Sequence, residues 1–189
     1  SDGDNLFLSS ILAVDADTGE YRWHYQTTPR DRWDYTATQQ IMLADLPLGE
    51  DGADRRVVMQ APKNGFFYVL DAADGELISA TPFTNQNWTT GEFDENGRPV
   101  LIEEAVDLAL YAVIPGPTGA HNWHPMAFNP DTGLVYIPVN EIPFFYDKTR
   151  NVKDSKSWWN IGYDAAAGWP VEYPAGTLDA VADLDGGSL

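Results

Sequence analysis

The 189 residues carry 29 acidic and 11 basic side chains, a net charge of −18 with histidine neutral, and a surface this negative repels nucleic-acid phosphates and anionic lipid. With 43% hydrophobic and 13% aromatic residues, the chain has the bulky groups that disordered segments lack and is long enough for one domain with a real core. No cysteine is present, so no disulfide or thiolate metal site forms within these residues; no run of about 18 apolar residues marks a membrane span, and the start, Ser1-Asp2-Gly3-Asp4-Asn5, is neither basic nor apolar as a signal peptide would be.

In chain order, an apolar run from Leu6 to Val14 ends at Asp15-Ala16-Asp17-Thr18-Gly19, and Tyr21-Arg22-Trp23-His24-Tyr25 follows at once. Asp and Gly make a tight turn cheap and aromatic alternation suits strands, so this reads as strand, turn, strand. Arg56 to Gln60 predicts the next strand, with a turn at Lys63-Asn64-Gly65. Phe66 to Leu70 and Glu76 to Ala80 flank a second turn, Asp71-Ala72-Ala73-Asp74-Gly75. Ile102 to Tyr111 fits a short helix or an irregular insertion. Met126-Ala127-Phe128, Asn129-Pro130-Asp131-Thr132-Gly133 and Leu134 to Pro138 repeat the hairpin a third time. Three approximate copies predict an antiparallel repeat architecture, all-β in class. Beyond Asp147 the sequence turns polar and then rich in Gly, Pro and Ala, which predicts long loop rather than a second domain. A partial array of small sheets would expose apolar faces that a propeller covers by closing its ring.

Three places carry groups with chemical potential. Asp34 lies in Arg30-Asp31-Arg32-Trp33-Asp34-Tyr35-Thr36, as a turn residue, a buried acceptor, or a carboxylate walled by rings and fit to act as a base or to hold a cation. Lys63 is either a solvated turn lysine or a cationic donor to a ligand oxygen. In His121-Asn122-Trp123-His124-Pro125 the two histidines lack a third ligand, so structural hydrogen bonding is the better reading than metal binding; Asn122 and Trp123 offer an amide and a flat wall. Phosphate-binding glycine loops, nucleophile elbows and zinc-protease motifs are missing from the sequence.

Taken together and in order, these segments resemble the pyrroloquinoline quinone (PQQ)-dependent alcohol dehydrogenases, quinoproteins and quinohaemoproteins of the bacterial periplasm. The resemblance runs from Gly3-Asp4-Asn5-Leu6-Phe7-Leu8-Ser9-Ser10 through Trp33-Asp34-Tyr35-Thr36, Ala61-Pro62-Lys63-Asn64-Gly65 and Gly119-Ala120-His121-Asn122-Trp123-His124-Pro125 to the hairpin at Gly133. It implies an eight-bladed β-propeller of which residues 1–146 supply about two to three blades, with 147–189 as a long loop or continuation. Ala13, Asp15, Gly19 and Trp23 fill the family's blade motif; Val69, Asp71 and Gly75 fill it again, but Ser79 stands where the docking Trp belongs, which implies weaker packing there.

By the same resemblance Asp34 matches the catalytic carboxylate and a calcium ligand, Lys63 the residue that hydrogen-bonds the quinone, and Asn122 and Trp123 the lining of the cofactor cavity. Thr36, where lanthanide-dependent relatives carry a second Asp, favours calcium. The implied reaction is oxidation of alcohols, to aldehydes where they are primary; the implied partners are a small primary or secondary alcohol and a c-type cytochrome or fused haem domain that takes the electrons. The family's other metal ligands, the Trp beneath the quinone and the adjacent-cysteine disulfide fall upstream of residue 1, so the isolated chain is expected to be inactive and to need the remainder of the propeller. A non-catalytic propeller scaffold would explain the repeats and the acidity, but not Trp33-Asp34-Tyr35, Lys63 and Asn122-Trp123 together; a degenerate relative would keep the residues without turnover.

Overall fold

Asp15 turns the chain back on itself. Its Oδ1 accepts from the N–H groups of Asp17 (3.1 Å) and Thr18 (3.0 Å), and Gly19 takes the left-handed φ of +73° that closes the turn. Strand β1 (Ser10–Val14) is thereby paired antiparallel with β2 (Tyr21–Gln26). The Arg22 guanidinium beside Asp15, with the N–H groups of Thr18 and Asp17, pulls its carboxyl down to about 2. The strand is shorter than the apolar run that announced it. Leu8 N–H donates to Asn5 O at 2.7 Å, closing a turn in which Leu6, Phe7 and Leu8 stand exposed.

The computed structural model describes residues 3–107 and 109–147; the loop expected over 147–189 lies, but for its first residue, outside them. After β2 come β3 (Met42–Leu46), β4 (Arg55–Gln60), β5 (Phe66–Asp71) and β6 (Leu77–Pro82), an antiparallel meander in the order β3-β4-β5-β6. Next are β7 (Thr89–Phe93), β8 (Pro99–Leu101), the short helix α1 (Glu103–Asp107), β9 (Ala109–Val113), β10 (Ala127–Asn129), β11 (Leu134–Tyr136) and β12 (Phe144–Asp147). Among the described residues β7 pairs with β8, β10 with β11 and β12 with β9. Within the ambiguous stretch 102–111, Glu103–Asp107 are helical and the described residues from Ala109 onward belong to a strand.

Side chains alternate across the meander and give it two apolar faces. Val57, Met59 and Val69 form one, covered by Phe128 and Val135 from the β10–β11 hairpin. Val58, Phe66, Tyr68 and Leu70 belong to the other, packed with Ile11, Trp23 and Tyr25 from the β1–β2 hairpin and with the rings of Trp33, Tyr35 and Trp88. The four-stranded sheet is therefore held face to face between its sequence neighbours, as propeller blades are. No closed ring forms among the described residues.

Trp23 supplies the contact between the first two units. Its Nε1–H donates to Ala72 O at 3.1 Å, and its ring lies where a Cβ on Gly75 would sit, 2.6 Å from Trp23 Cε3. Gly75 also has φ +79°, so both its conformation and its bareness are needed. One unit further on, Ser79 is exposed and nothing lies within 4 Å of a Cβ on Gly133. Gly75→Ala is expected to cost about 1–3 kcal/mol through overpacking and φ strain, read as a lower urea midpoint; an unchanged midpoint would mean that the indole is not seated on this turn.

Candidate functional site

The loop after β2 crosses the meander with its aromatic rings buried. Trp33 and Tyr35 are fully buried: Trp33 Nε1–H donates to Ala105 O at 3.3 Å and Tyr35 O–H to Pro115 O at 2.6 Å. Asp34, between them, has φ +62°, which turns its side chain away from both rings; that side chain is 61% exposed. Two buried neighbours and a left-handed backbone thus leave one carboxylate on the surface of an aromatic floor.

The turn from β4 to β5 brings the cation. Lys63 is buried, and its Nζ donates to the Asp34 backbone oxygen at 2.8 Å and to Asp34 Oδ2 at 3.2 Å. It is not a solvated turn lysine. Next to it, fully buried Asn64 ties the turn to the other loop: its Nδ2 donates to Thr27 O at 3.0 Å, and its own carbonyl accepts from Trp88 Nε1–H at 2.8 Å.

The third segment is pressed on the Lys63 stem. Ala120 N–H donates to Lys63 O at 2.9 Å, and a Cβ on Gly119 would meet the Lys63 Cβ at 2.8 Å and its Cγ closer still. His121 is fully buried, with Nδ1 2.5 Å from Ala61 O and Nε2 2.7 Å from His124 O. Its role is therefore to clasp the segment to the turn that carries Lys63. Asn122 Nδ2 donates to Thr118 O at 2.8 Å, while its buried Oδ1 has no hydrogen-bond partner among the described residues. Trp123 is 88% exposed. Among the described residues no three His, Cys, Asp or Glu side chains gather as a metal would need.

Sequence reading passed over Asp31, Asn64 and Gly119 as site-builders; for His121 the expected structural hydrogen bonding is what the structure shows. Asp31 is the most consequential. Burial pushes its carboxyl above the usual range, against hydrogen bonds from Ser9, Trp33, Thr36 and Tyr35 that favour the ionised form. The one signal for it was the spacing: an Asp whose carboxylate can catch N–H groups two and more residues on, in a loop rich in aromatics.

Residues 1–93, which include the β3–β6 meander, the surface carboxylate and the buried lysine, match the β-propeller domain of glucose, ethanol and alcohol dehydrogenases. The chain is 59% identical over 152 residues to quinohemoprotein alcohol dehydrogenase ADH-IIG of Pseudomonas putida, covering 77% of this chain and 20% of that protein. It is 52% identical over 157 residues to the quinohemoprotein alcohol dehydrogenase of Comamonas testosteroni, covering 82% and 21%. The solved structure of the Pseudomonas putida enzyme superposes with a TM-score of 0.72 at 58% identity, over 76% of this chain and 21% of that one. The chain matches the quinoprotein and quinohaemoprotein alcohol dehydrogenase family at high identity over part of its length. It spans about a fifth of the length of these relatives.

Proposed function

We propose that this chain supplies part of the site of a PQQ- and calcium-dependent alcohol dehydrogenase, which oxidises small primary or secondary alcohols to carbonyl compounds and passes electrons to a c-type cytochrome or a fused haem domain. Residues 1–146 make two to three blades of its eight-bladed propeller, and 147–189 a long loop or continuation; the remaining blades complete the site, in the periplasm. What carries this reading is the Asp34–Lys63 pair, an exposed carboxylate held at 3.2 Å by a buried ammonium in a family of quinone enzymes.

The residues present fit the cofactor. Lys63 is a cationic donor suited to quinone oxygens, Asn122 has a buried carbonyl oxygen without a hydrogen-bond partner among the described residues, and Trp123 offers an exposed flat ring to a planar ligand. They fit calcium in part, since Asp34 is the one carboxylate assigned to it here and the other ligands come from outside these residues. When bound, the quinone supplies the hydride acceptor and the calcium ion a positive charge beside it. Asp34 takes the hydroxyl proton of the alcohol as the carbinol hydrogen departs with its electron pair, so the alcohol becomes a carbonyl and the carboxylate a carboxylic acid. Lys63 fixes the carboxylate through both a backbone and a side-chain contact, and the buried rings of Trp33 and Tyr35 keep the loop from folding over it.

A PQQ titration tests the reading, followed by quinone absorbance with calcium and with EDTA, on this chain and on a complete dehydrogenase that contains it. Calcium-dependent saturable binding is expected of the complete protein and not of this chain alone, weakened about tenfold or more, the equivalent of at least 1.4 kcal/mol, by Asp34→Asn or Lys63→Met. Binding by the complete protein that is indifferent to EDTA and to both substitutions would reduce the pair to a structural contact.

A further inference from the structure

We propose that Asp31 is the positioning residue for Asp34: its carboxylate gathers the backbone of the loop and so sets the direction in which the Asp34 side chain leaves it. This rests on the reading of Asp34 as the base. Asp31 Oδ1 accepts from Trp33 N–H at 2.9 Å. Its Oδ2 accepts from Tyr35 N–H at 3.0 Å, from Thr36 N–H at 3.4 Å and from Ser9 Oγ–H at 2.6 Å. One carboxylate therefore takes the N–H groups on both sides of Asp34 and ties them to the segment entering β1.

The arrangement follows from the backbone. Arg30, Asp34 and Thr36 have φ of +54°, +62° and +36°, values that side-chain-bearing residues adopt only when their surroundings impose them. Successive turns of this kind point several N–H groups inward at a common centre, which an anion fills. Asp31 is that anion, supplied by the loop itself. Trp33 and Tyr35 anchor the ring side of the loop at the tips of their side chains, through Ala105 and Pro115, and Lys63 Nζ holds the Asp34 backbone oxygen at 2.8 Å. Asp31 holds the N–H side of the 33–36 peptides, at Trp33, Tyr35 and Thr36, and so sets where the Asp34 carboxylate meets Lys63.

Two readouts on the 189-residue chain decide this without any cofactor. In Asp31→Asn, with one acceptor oxygen in place of two, amide hydrogen exchange at Tyr35 and Thr36 is expected to rise about tenfold while amides of β4 and β5 keep their protection. Acylation of the Lys63 amine, shielded by its contacts to Asp34, is expected to speed up by a similar factor in the still-folded protein. Ser9→Ala, which removes the tie to β1 and leaves the three N–H donors, should give a smaller change of the same kind and serves if Asp31→Asn does not fold. Unchanged exchange at 35 and 36 overturns the proposal, and so does faster exchange with Lys63 no more reactive. Full turnover by the complete holoenzyme carrying Asp34→Asn would sink the catalytic reading and, with the exchange and acylation results on this chain as expected, leave the role of Asp31 in holding the loop standing.

Discussion

Asp34→Asn is expected to lower alcohol turnover of the complete holoenzyme by about 10²- to 10⁴-fold, the range in which a positioned general base contributes. Asparagine keeps the shape of the side chain and can still accept from Lys63 Nζ, but it cannot take the hydroxyl proton. The side chain is 61% exposed and the loop is anchored by Trp33 and Tyr35, so the fold should survive the change. The effect should therefore appear in kcat with a dye acceptor, at saturating PQQ and calcium, with little change in melting temperature. Turnover within a factor of about three of the unmodified protein would remove Asp34 from the proton transfer.

Trp88→Ala should have the largest effect on stability, about 3–5 kcal/mol, a big share of the roughly 5–15 kcal/mol that holds an ordinary domain folded. Trp88 is fully buried, with ring centroids 5.6 Å from Trp33, 5.6 Å from Tyr35 and 6.0 Å from Phe66. Its Nε1–H satisfies Asn64 O, and its own backbone carbonyl accepts from Ile102 N–H at 3.0 Å. One indole thus joins the Asp34 loop to the Lys63 turn. Trp88→Phe keeps most of the apolar area but leaves the buried Asn64 carbonyl unpaired, at a cost of about 1–3 kcal/mol. Urea denaturation measures both; a loss below about 1 kcal/mol for Trp88→Ala, the size of an ordinary point substitution, would show that the aromatic cluster is not the core drawn for it.

The hairpins were legible because their turns are chemically local. Asp15 with Gly19, Asp71 with Gly75 and Asn129 with Gly133 each set the N–H of the glycine on the carbonyl of the first residue, and the flanking runs had nowhere to go but back on themselves. Strands β3, β7, β8 and β9 were not legible. Thr89–Phe93 and Pro99–Leu101 are short and weakly patterned, and pairing with a neighbour is what makes them strands. The run from Leu6 misled for the opposite reason, since apolar side chains alone do not reveal a turn.

Residue type and local order in the sequence determined the turns, the alternation that gives the meander two apolar faces, and the resemblance to the quinoprotein family, carried by the ordered segments from Gly3 to the hairpin at Gly133. The tertiary structure alone decided which of two nearby aspartates faces outward. Asp31 and Asp34 are the same residue three positions apart; burial among four donors makes one a bracket, and a left-handed φ between two buried rings makes the other a surface carboxylate. It also decided that Lys63 is buried, because Gly119 and Ala120, distant in sequence, close over its stem. Turns are written in a few consecutive residues, whereas burial and the direction of a side chain depend on what the rest of the chain packs against them.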